Sequence, residues 1–142
     1  MPKISRSFDV LVVGGGVVGL AAAAGMAARG FKTAVMDAGP LKITPDTKNT
    51  RVYAINGASQ ALLARLGVWG LLAPEIISPY RGMHVWDASN HAEMTFDARD
   101  AVKAQLGVIL EEAPLRAALL KRVKTLGAQL IPNTRVTACV EE

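Results

Sequence analysis

Several residue types whose chemistry would define a function are scarce in this sequence. Cysteine occurs once, as Cys139, among 142 residues. A single cysteine excludes a disulfide within the chain and a metal cluster built from several thiolates, and it fits a reducing compartment. Aromatic residues make up only 5% of the chain, and no Walker A, G-x-S-x-G or H-E-x-x-H pattern occurs. The sequence therefore gives no support for an NTPase, an α/β-hydrolase or a zinc protease.

Concentrated positive charge is also lacking. The formal net charge is only +4 at pH 7, and Lys121, Arg122 and Lys124 form the one tight basic cluster. Proteins that bind a phosphate backbone usually carry a basic stripe with aromatic residues or a known nucleic-acid-binding motif. We therefore predict no nucleic-acid partner.

Charge is absent altogether between Asp9 and Arg29. Such an uncharged run resembles a secretory signal or a membrane span. Five glycines interrupt it, at positions 14, 15, 16, 19 and 25. Each glycine inside a helix costs about 1 kcal/mol relative to alanine, so a continuous helix is disfavoured. We expect a folded segment here.

The same segment has the pattern of a βαβ unit. Residues 8–13 form a short valine-rich run typical of a buried parallel strand. An alanine-rich stretch over residues 17–29 predicts a helix, and Gly30 suits its C-terminal cap. Residues 32–37 predict a second strand that ends in Asp37. The fold class predicted is α/β, with a Rossmann-like unit at its start.

Residues 14–19 read GGGVVG and match G-x-G-x-x-G between the predicted strand and the predicted helix. Gly14 permits the tight turn, Gly16 lets the backbone approach a pyrophosphate, and Gly19 lets the helix lie close to the sheet. The helix N-terminus adds unpaired N–H groups and partial positive charge. The cofactor-binding residues predicted in this turn are Gly14, Gly15, Gly16, Val18 and Gly19.

The pattern extends beyond the turn in a way typical of FAD-binding flavoproteins. Ala23 follows Gly19 by four residues, and Gly30 follows Ala23 by seven. Asp37 lies about 20 residues beyond the glycines, where a carboxylate can accept hydrogen bonds from ribose hydroxyls. The same carboxylate would repel a 2′-phosphate, so NADP is not expected in this site. FAD is the cofactor predicted.

The segment after the βαβ unit favours FAD over NAD. A simple NAD-binding domain would continue with alternating helices and strands. Here a polar loop, a helix and an inserted antiparallel hairpin are predicted instead, an order that suits the FAD domains of glutathione-reductase-like and hydroxylase-like flavoproteins. The elements predicted are a loop over 38–50, a helix from 56–59 to 67, hairpin strands over 83–86 and 92–96, a strand over 108–110, a helix over 114–126, and strands over 129–131 and 135–140.

Three stretches resemble the ubiquinone-biosynthesis hydroxylases, which are FAD-dependent aromatic monooxygenases related to p-hydroxybenzoate hydroxylase. The stretches are RVYAINGASQALLARLGVWGLL from Arg51, SPYRGMHVWDASNHAEMTFDA from Ser78 and LGVILEEAPLRAALL from Leu106. The resemblance covers nearly the whole chain, and the part from Arg51 to Trp69 is the most specific.

The resemblance implies a chemistry and a set of partners. NADH or NADPH would reduce bound FAD, and reduced FAD would activate dioxygen to hydroxylate an electron-rich phenolic ring. The substrate implied is a polyprenylated phenol or quinol precursor of ubiquinone. A cytoplasmic protein associated peripherally with the inner membrane, or with other biosynthetic proteins, is expected. Arg51 would reach the FAD phosphates or ribityl chain. Glu112 departs from the neutral amide common in the family and receives no role.

The domain organisation expected is a partial one. Residues 1–142 would be the N-terminal portion of an FAD-binding domain, inactive alone and without a second complete domain, with the catalytic residues beyond Glu142. We predict no metal site, because His84 and His91 flank a hairpin turn without a third ligand. Two alternatives stay open: another FAD-dependent dehydrogenase or oxidase, and a non-catalytic nucleotide-binding module.

Overall fold

The computed structural model describes residues 7–42 and 51–140. The first layer of the fold is the predicted βαβ unit, with strand β1 at Val10–Val13, helix α1 at Val17–Ala27 and strand β2 at Thr33–Met36. β1 and β2 pair in parallel, with Val10 opposite Thr33 and Val13 opposite Met36. The uncharged run thus folds as a strand, a turn and an 11-residue helix. No helix among the described residues is long and apolar enough to cross a membrane.

A second, antiparallel sheet was only partly predicted. Strand β3 (Val52–Asn56) and strand β4 (Ser78–Tyr80) both pair with strand β7 (Gly107–Glu111), which lies between them. The sequence indicated β7 but neither of its neighbours. β4 has only three residues and contains Pro79, which lacks an N–H for a ladder and is tolerated at the edge of a sheet.

The inserted antiparallel hairpin is confirmed. Strand β5 (Gly82–Trp86) pairs with strand β6 (Glu93–Asp97). Because side chains alternate along a strand, the hairpin has one apolar face and one face of mixed character, where Trp86 stacks on His84. Met83 opposite Phe96 and Val85 opposite Met94 form the apolar face.

Helices α2 (Gly57–Arg65) and α3 (Glu112–Thr125) correspond to the two later helices predicted. The Oδ1 of Asn56 caps α2 by accepting a hydrogen bond of 2.8 Å from the Ser59 amide. The predicted loop over 38–50 extends into residues 43–50, which lie outside the described residues.

Of the two final strands predicted, one is confirmed and one is wrong. Strand β8 (Gln129–Ile131) adds to β2 in parallel and completes the sheet order β1-β2-β8. Residues 135–140 form no strand. The β-branched residues Val136, Thr137 and Val140 favour a strand, but none of the described strands offers them a partner. A strand-like segment becomes a strand only where a neighbouring strand can form backbone hydrogen bonds with it.

The core lies where α1 and α3 pack against each other and against the parallel sheet. Small side chains on α1 allow this close packing: Ala23 and Ala24 are fully buried. The largest buried side chains include Leu20 on α1, Val35 on β2, and Leu115, Leu119 and Val123 on α3. This core fixes both helices relative to the turn between β1 and α1.

Gly19 is predicted to be indispensable for this packing. A Cβ at Gly19 would collide with the carbonyl oxygen of Gly14 and lie 3.4 Å from Val12 Cγ1. We expect Gly19→Ala to lower the free energy of unfolding by about 1–3 kcal/mol, because backbone must move to admit the methyl group. Urea denaturation measures the change.

Gly25→Ala is the matched control on the same helix. A Cβ there would lie 3.7 Å from Arg29 Nη1, an ordinary contact. Removing a glycine from a helix should raise stability by about 0.5–1 kcal/mol. Equal effects of the two substitutions would contradict the close approach of Gly19 to the turn.

Candidate dinucleotide site

The glycine turn joins the end of β1 to the start of α1. Gly14 has φ +107°, a conformation that favours glycine, and its amide donates a hydrogen bond of 2.8 Å to the Met36 carbonyl at the end of β2. Gly16 occupies the N-cap of α1, where no side chain caps the helix and no acid lies in the first turn. The amides of the first turn have no intrahelical acceptor, and the helix dipole makes this end partially positive.

The predicted glycines have different roles in the structure. Gly19 allows the helix to touch the turn, as described above. A Cβ at Gly16 would meet nothing within 4 Å, so open space lies beside its backbone. A Cβ at Gly15 would collide with Leu41 Cδ2 and lie 3.2 Å from Asp37 Oδ2. Val18, also predicted as a contact, lies in the first turn of α1 with its side chain exposed.

Asp37 lies at the mouth of this turn. Its Oδ2 accepts a hydrogen bond of 2.6 Å from the Gly15 amide, and its Oδ1 accepts one of 2.7 Å from the Gly39 amide. These two hydrogen bonds, the one from Gly15 first, lower the pKa of Asp37 below its usual value of 3.8, and the nearby charge of Arg116 adds to the effect. The side chain is therefore an ionised acceptor held in one orientation beside the glycines.

A cavity of about 290 Å³ opens beside Asp37. Its walls are Val13 and Gly14 at the end of β1, residues 36–38 at the end of β2 and just beyond it, and residues 134–136 after β8. The Thr134 amide donates a hydrogen bond of 2.8 Å to the Asp37 carbonyl, which fixes the last of these walls. The cavity thus lies at the carboxyl ends of three parallel strands, where ligands bind in open α/β sheets.

Arg51, the predicted phosphate contact, immediately precedes β3. Its side chain is 67% exposed, and its Nε lies 3.7 Å from the Oε2 of Glu112 in the first turn of α3. Glu112 and Arg116 are four residues apart on α3 and therefore share one face of that helix. Arg51 thus lies near the start of α3, the helix that also carries Arg116, and its contact with a phosphate stays a prediction.

The structure reveals one site residue that sequence reasoning missed. Arg116 donates from Nε to the Gly15 carbonyl oxygen at 2.8 Å and from Nη2 to the Pro40 carbonyl oxygen at 3.4 Å. It is separated from Gly15 by 101 residues, so no local pattern links the two. The sequence carries no signal for this role, because the contact forms only when α3 has packed against α1.

The two histidines of the hairpin do not form a metal site in the described part of the chain. His84 Nδ1 lies 2.8 Å from Thr95 Oγ1, and its Nε2 lies 3.6 Å from Glu93 Oε2. Within residues 7–42 and 51–140 there is no group of three or more residues able to hold a metal ion.

The site has features that suit a dinucleotide such as FAD. A bare turn with open space beside Gly16 offers room for a diphosphate, the N-terminus of α1 offers its positive end, and Asp37 offers acceptors for a ribose. This combination defines a dinucleotide-binding domain of the flavoprotein type. Residues 9–46 match the FAD binding domain family, which confirms FAD as the predicted cofactor.

The chain is related to the ubiquinone-biosynthesis hydroxylases, as the resemblance predicted. It is 36% identical over 126 residues to ubiquinone biosynthesis monooxygenase COQ6 of Danio rerio, covering 84% of this chain and 26% of the relative. It is 36% identical over 113 residues to 3-demethoxyubiquinol 3-hydroxylase of Escherichia coli, covering 78% of this chain and 29% of the relative. The chain thus spans less than a third of each relative.

Solved structures agree with the fold. The Diels-Alderase PyrE3 superposes with a TM-score of 0.73 at 20% identity, covering 94% of this chain and 27% of that one. A geranylgeranyl bacteriochlorophyll reductase-like protein from Thermoplasma acidophilum gives a TM-score of 0.64 at 22% identity, covering 95% of this chain and 32% of that one. In both cases the likeness covers nearly the whole of this chain.

The lowered pKa of Asp37 predicts how stability depends on pH. A carboxylate with a depressed folded-state pKa contributes stability above pH 3.8 and loses it as pH falls through its folded value. Asp37→Asn should therefore be less stable than the wild type at about pH 6, and the gap should shrink towards about pH 2.5 because protonated aspartate resembles asparagine. Urea denaturation of both proteins at the two pH values measures the gap. A gap independent of pH would contradict the ionised, hydrogen-bonded state of Asp37.

Proposed function

We propose that this chain is the FAD-binding portion of a flavin-dependent monooxygenase that hydroxylates a polyprenylated phenol or quinol in ubiquinone biosynthesis. The observation that carries the proposal is the juxtaposition of a bare glycine turn, an uncapped helix end and the fixed Asp37 carboxylate. The related proteins named as ubiquinone biosynthesis enzymes support the reaction and the substrate class.

Different residues of the site would bind different parts of FAD. The amides of Gly16 and the first turn of α1 would donate hydrogen bonds to the diphosphate, and the helix dipole would favour its negative charge. Asp37 would accept hydrogen bonds from the adenosine ribose, and the cavity beside it would take the adjoining base. Arg51 would supply a further cation to the phosphates or ribityl chain.

Bound flavin supplies two-electron redox chemistry and the activation of dioxygen, with NADH or NADPH as the reductant. The described residues would hold the adenosine and diphosphate half of the cofactor, and the reacting ring would be held by other residues of the full-length protein. A tight hold on the non-reacting half fixes where the reacting half lies.

A polyprenylated substrate resides in a membrane, so we propose that the protein associates with the membrane surface peripherally. Sedimentation of the full-length protein with liposomes that contain the prenylated substrate tests this step. Equal recovery of the protein in the supernatant with and without liposomes would contradict it.

Loss of FAD binding in two site variants tests the cofactor assignment. Gly16 has an extended backbone (φ −75°, ψ 177°) and open space at its Cβ, so Gly16→Val should fold and fill the position of the diphosphate. Asp37→Ala removes the ribose acceptor. Since hydrogen bonds to charged groups contribute about 1.5–3 kcal/mol, we expect at least a 10-fold weaker affinity for FAD in each full-length variant. Flavin absorbance after purification and a fluorescence titration measure it.

Asp87→Ala is the matched control, because the Oδ1 of Asp87 also accepts from a backbone amide, that of Ser89, at 2.8 Å, but in the hairpin turn. It should keep wild-type FAD affinity. Stoichiometric FAD in both site variants would place the cofactor elsewhere in the protein.

Incorporation of labelled oxygen distinguishes the proposed reaction from the alternatives. The full-length protein is supplied with NADH or NADPH, a polyprenylated phenol and ¹⁸O₂, and the mass of the product is measured by mass spectrometry. A monooxygenase transfers one ¹⁸O atom to the ring. Oxidation of the substrate without ¹⁸O would indicate a dehydrogenase or oxidase, and binding of FAD without turnover would indicate a nucleotide-binding module.

A further inference from the structure

The two peptide groups that flank Gly15 are both held by distant side chains. The Gly15 amide donates to Asp37 Oδ2 at 2.6 Å, and the Gly15 carbonyl accepts from Arg116 Nε at 2.8 Å. Asp37 follows β2, whereas Arg116 lies in α3. The glycine turn is thus fixed by two parts of the fold that are far apart in sequence.

The hold on the Gly15 carbonyl determines where the next amide points. A peptide group is planar and trans, so the carbonyl of Gly15 and the N–H of Gly16 point in opposite directions. Because Arg116 fixes the direction of the Gly15 carbonyl, it also fixes the direction of the Gly16 N–H. The Gly16 amide is directed away from Arg116, on a residue that has open space beside it.

Arg116 also joins the turn to the loop after β2. Its Nη2 lies 3.4 Å from the Pro40 carbonyl, in the same loop as Gly39, whose amide binds Asp37. The side chain is half-buried, and the residues before and after it on α3 include the buried core residues Leu115 and Leu119. Because these core residues hold α3 in place, the guanidinium of Arg116 extends from a rigid helix.

We propose that Arg116 is a positioning residue for FAD, which presets the glycine turn so that the Gly16 amide faces the diphosphate before the cofactor arrives. The proposal rests on the proposed function, because it assumes that the diphosphate of FAD lies on this turn. A turn that is already ordered loses less conformational entropy when it binds, so preorganisation strengthens affinity. The guanidinium charge also favours an anionic ligand nearby.

Arg116→Leu in the full-length protein tests the proposal. We expect its dissociation constant for FAD to rise about 10- to 100-fold, because a charge-assisted hydrogen bond to the turn is lost. Arg116→Lys should restore only part of this affinity, since an ammonium keeps the charge but lacks the planar fork that reaches both carbonyls. If Arg116→Lys bound FAD with the full wild-type affinity, the positioning role would be overturned, because charge attraction alone would explain the effect.

Arg122→Leu is the matched control on the same helix. Arg122 Nε donates to the Leu66 carbonyl at 2.7 Å, a comparable hydrogen bond at another place in the fold. This variant should lose stability but keep the wild-type dissociation constant for FAD. If it weakened FAD binding as much as Arg116→Leu, the role of Arg116 would be general stability and the proposal would be overturned.

A spectroscopic readout separates positioning from affinity. In FAD-free protein labelled with ¹⁵N-glycine, the Gly16 amide signal, assigned by its loss in Gly16→Ala, should shift in Arg116→Leu and stay in place in Arg122→Leu. An unmoved signal in Arg116→Leu would overturn the proposal. If the wild type bound no FAD, the proposed function would fail, whereas wild-type affinity in Arg116→Leu would refute only the role of Arg116.

Discussion

The close approach of α1 to the turn that precedes it is the constraint on which the site depends. Gly19 has no room for a side chain against the Gly14 carbonyl, and Gly14 adopts a conformation suited to glycine. Only this approach brings the amides at the start of α1 to the carboxyl edge of the sheet. The cost is a helix end without a capping side chain or an acid, which a bound anion would offset.

Contacts from outside the βαβ unit complete this arrangement. α3 packs on α1 through the main core and carries Arg116 to the Gly15 carbonyl, while the loop after β8 hydrogen-bonds to the residues that follow β2. Burial of apolar surface therefore does more than stabilise the fold. It fixes, from two sides, the backbone on which a cofactor would rest.

The sequence predicted the parts of the fold that depend on local patterns. The βαβ unit and the hairpin have clear periodicity and turn residues, and the structure has both. β3 and β4 were missed because pairing with β7, rather than intrinsic preference, makes them strands. Residues 135–140 show the reverse, since a strand-like composition found no partner. Arg116 could not be predicted because its contact with Gly15 exists only after α3 has packed against α1.

The crystal structure of the full-length protein with FAD bound tests the central claim most directly. The account predicts that the diphosphate oxygens lie within hydrogen-bonding distance of the Gly16 amide and the first turn of α1. The ribose hydroxyls should donate hydrogen bonds to Asp37. The hydrogen bond from Arg116 to the Gly15 carbonyl should remain in place. A structure with the diphosphate away from this turn, or with Asp37 turned from the ribose, would contradict it.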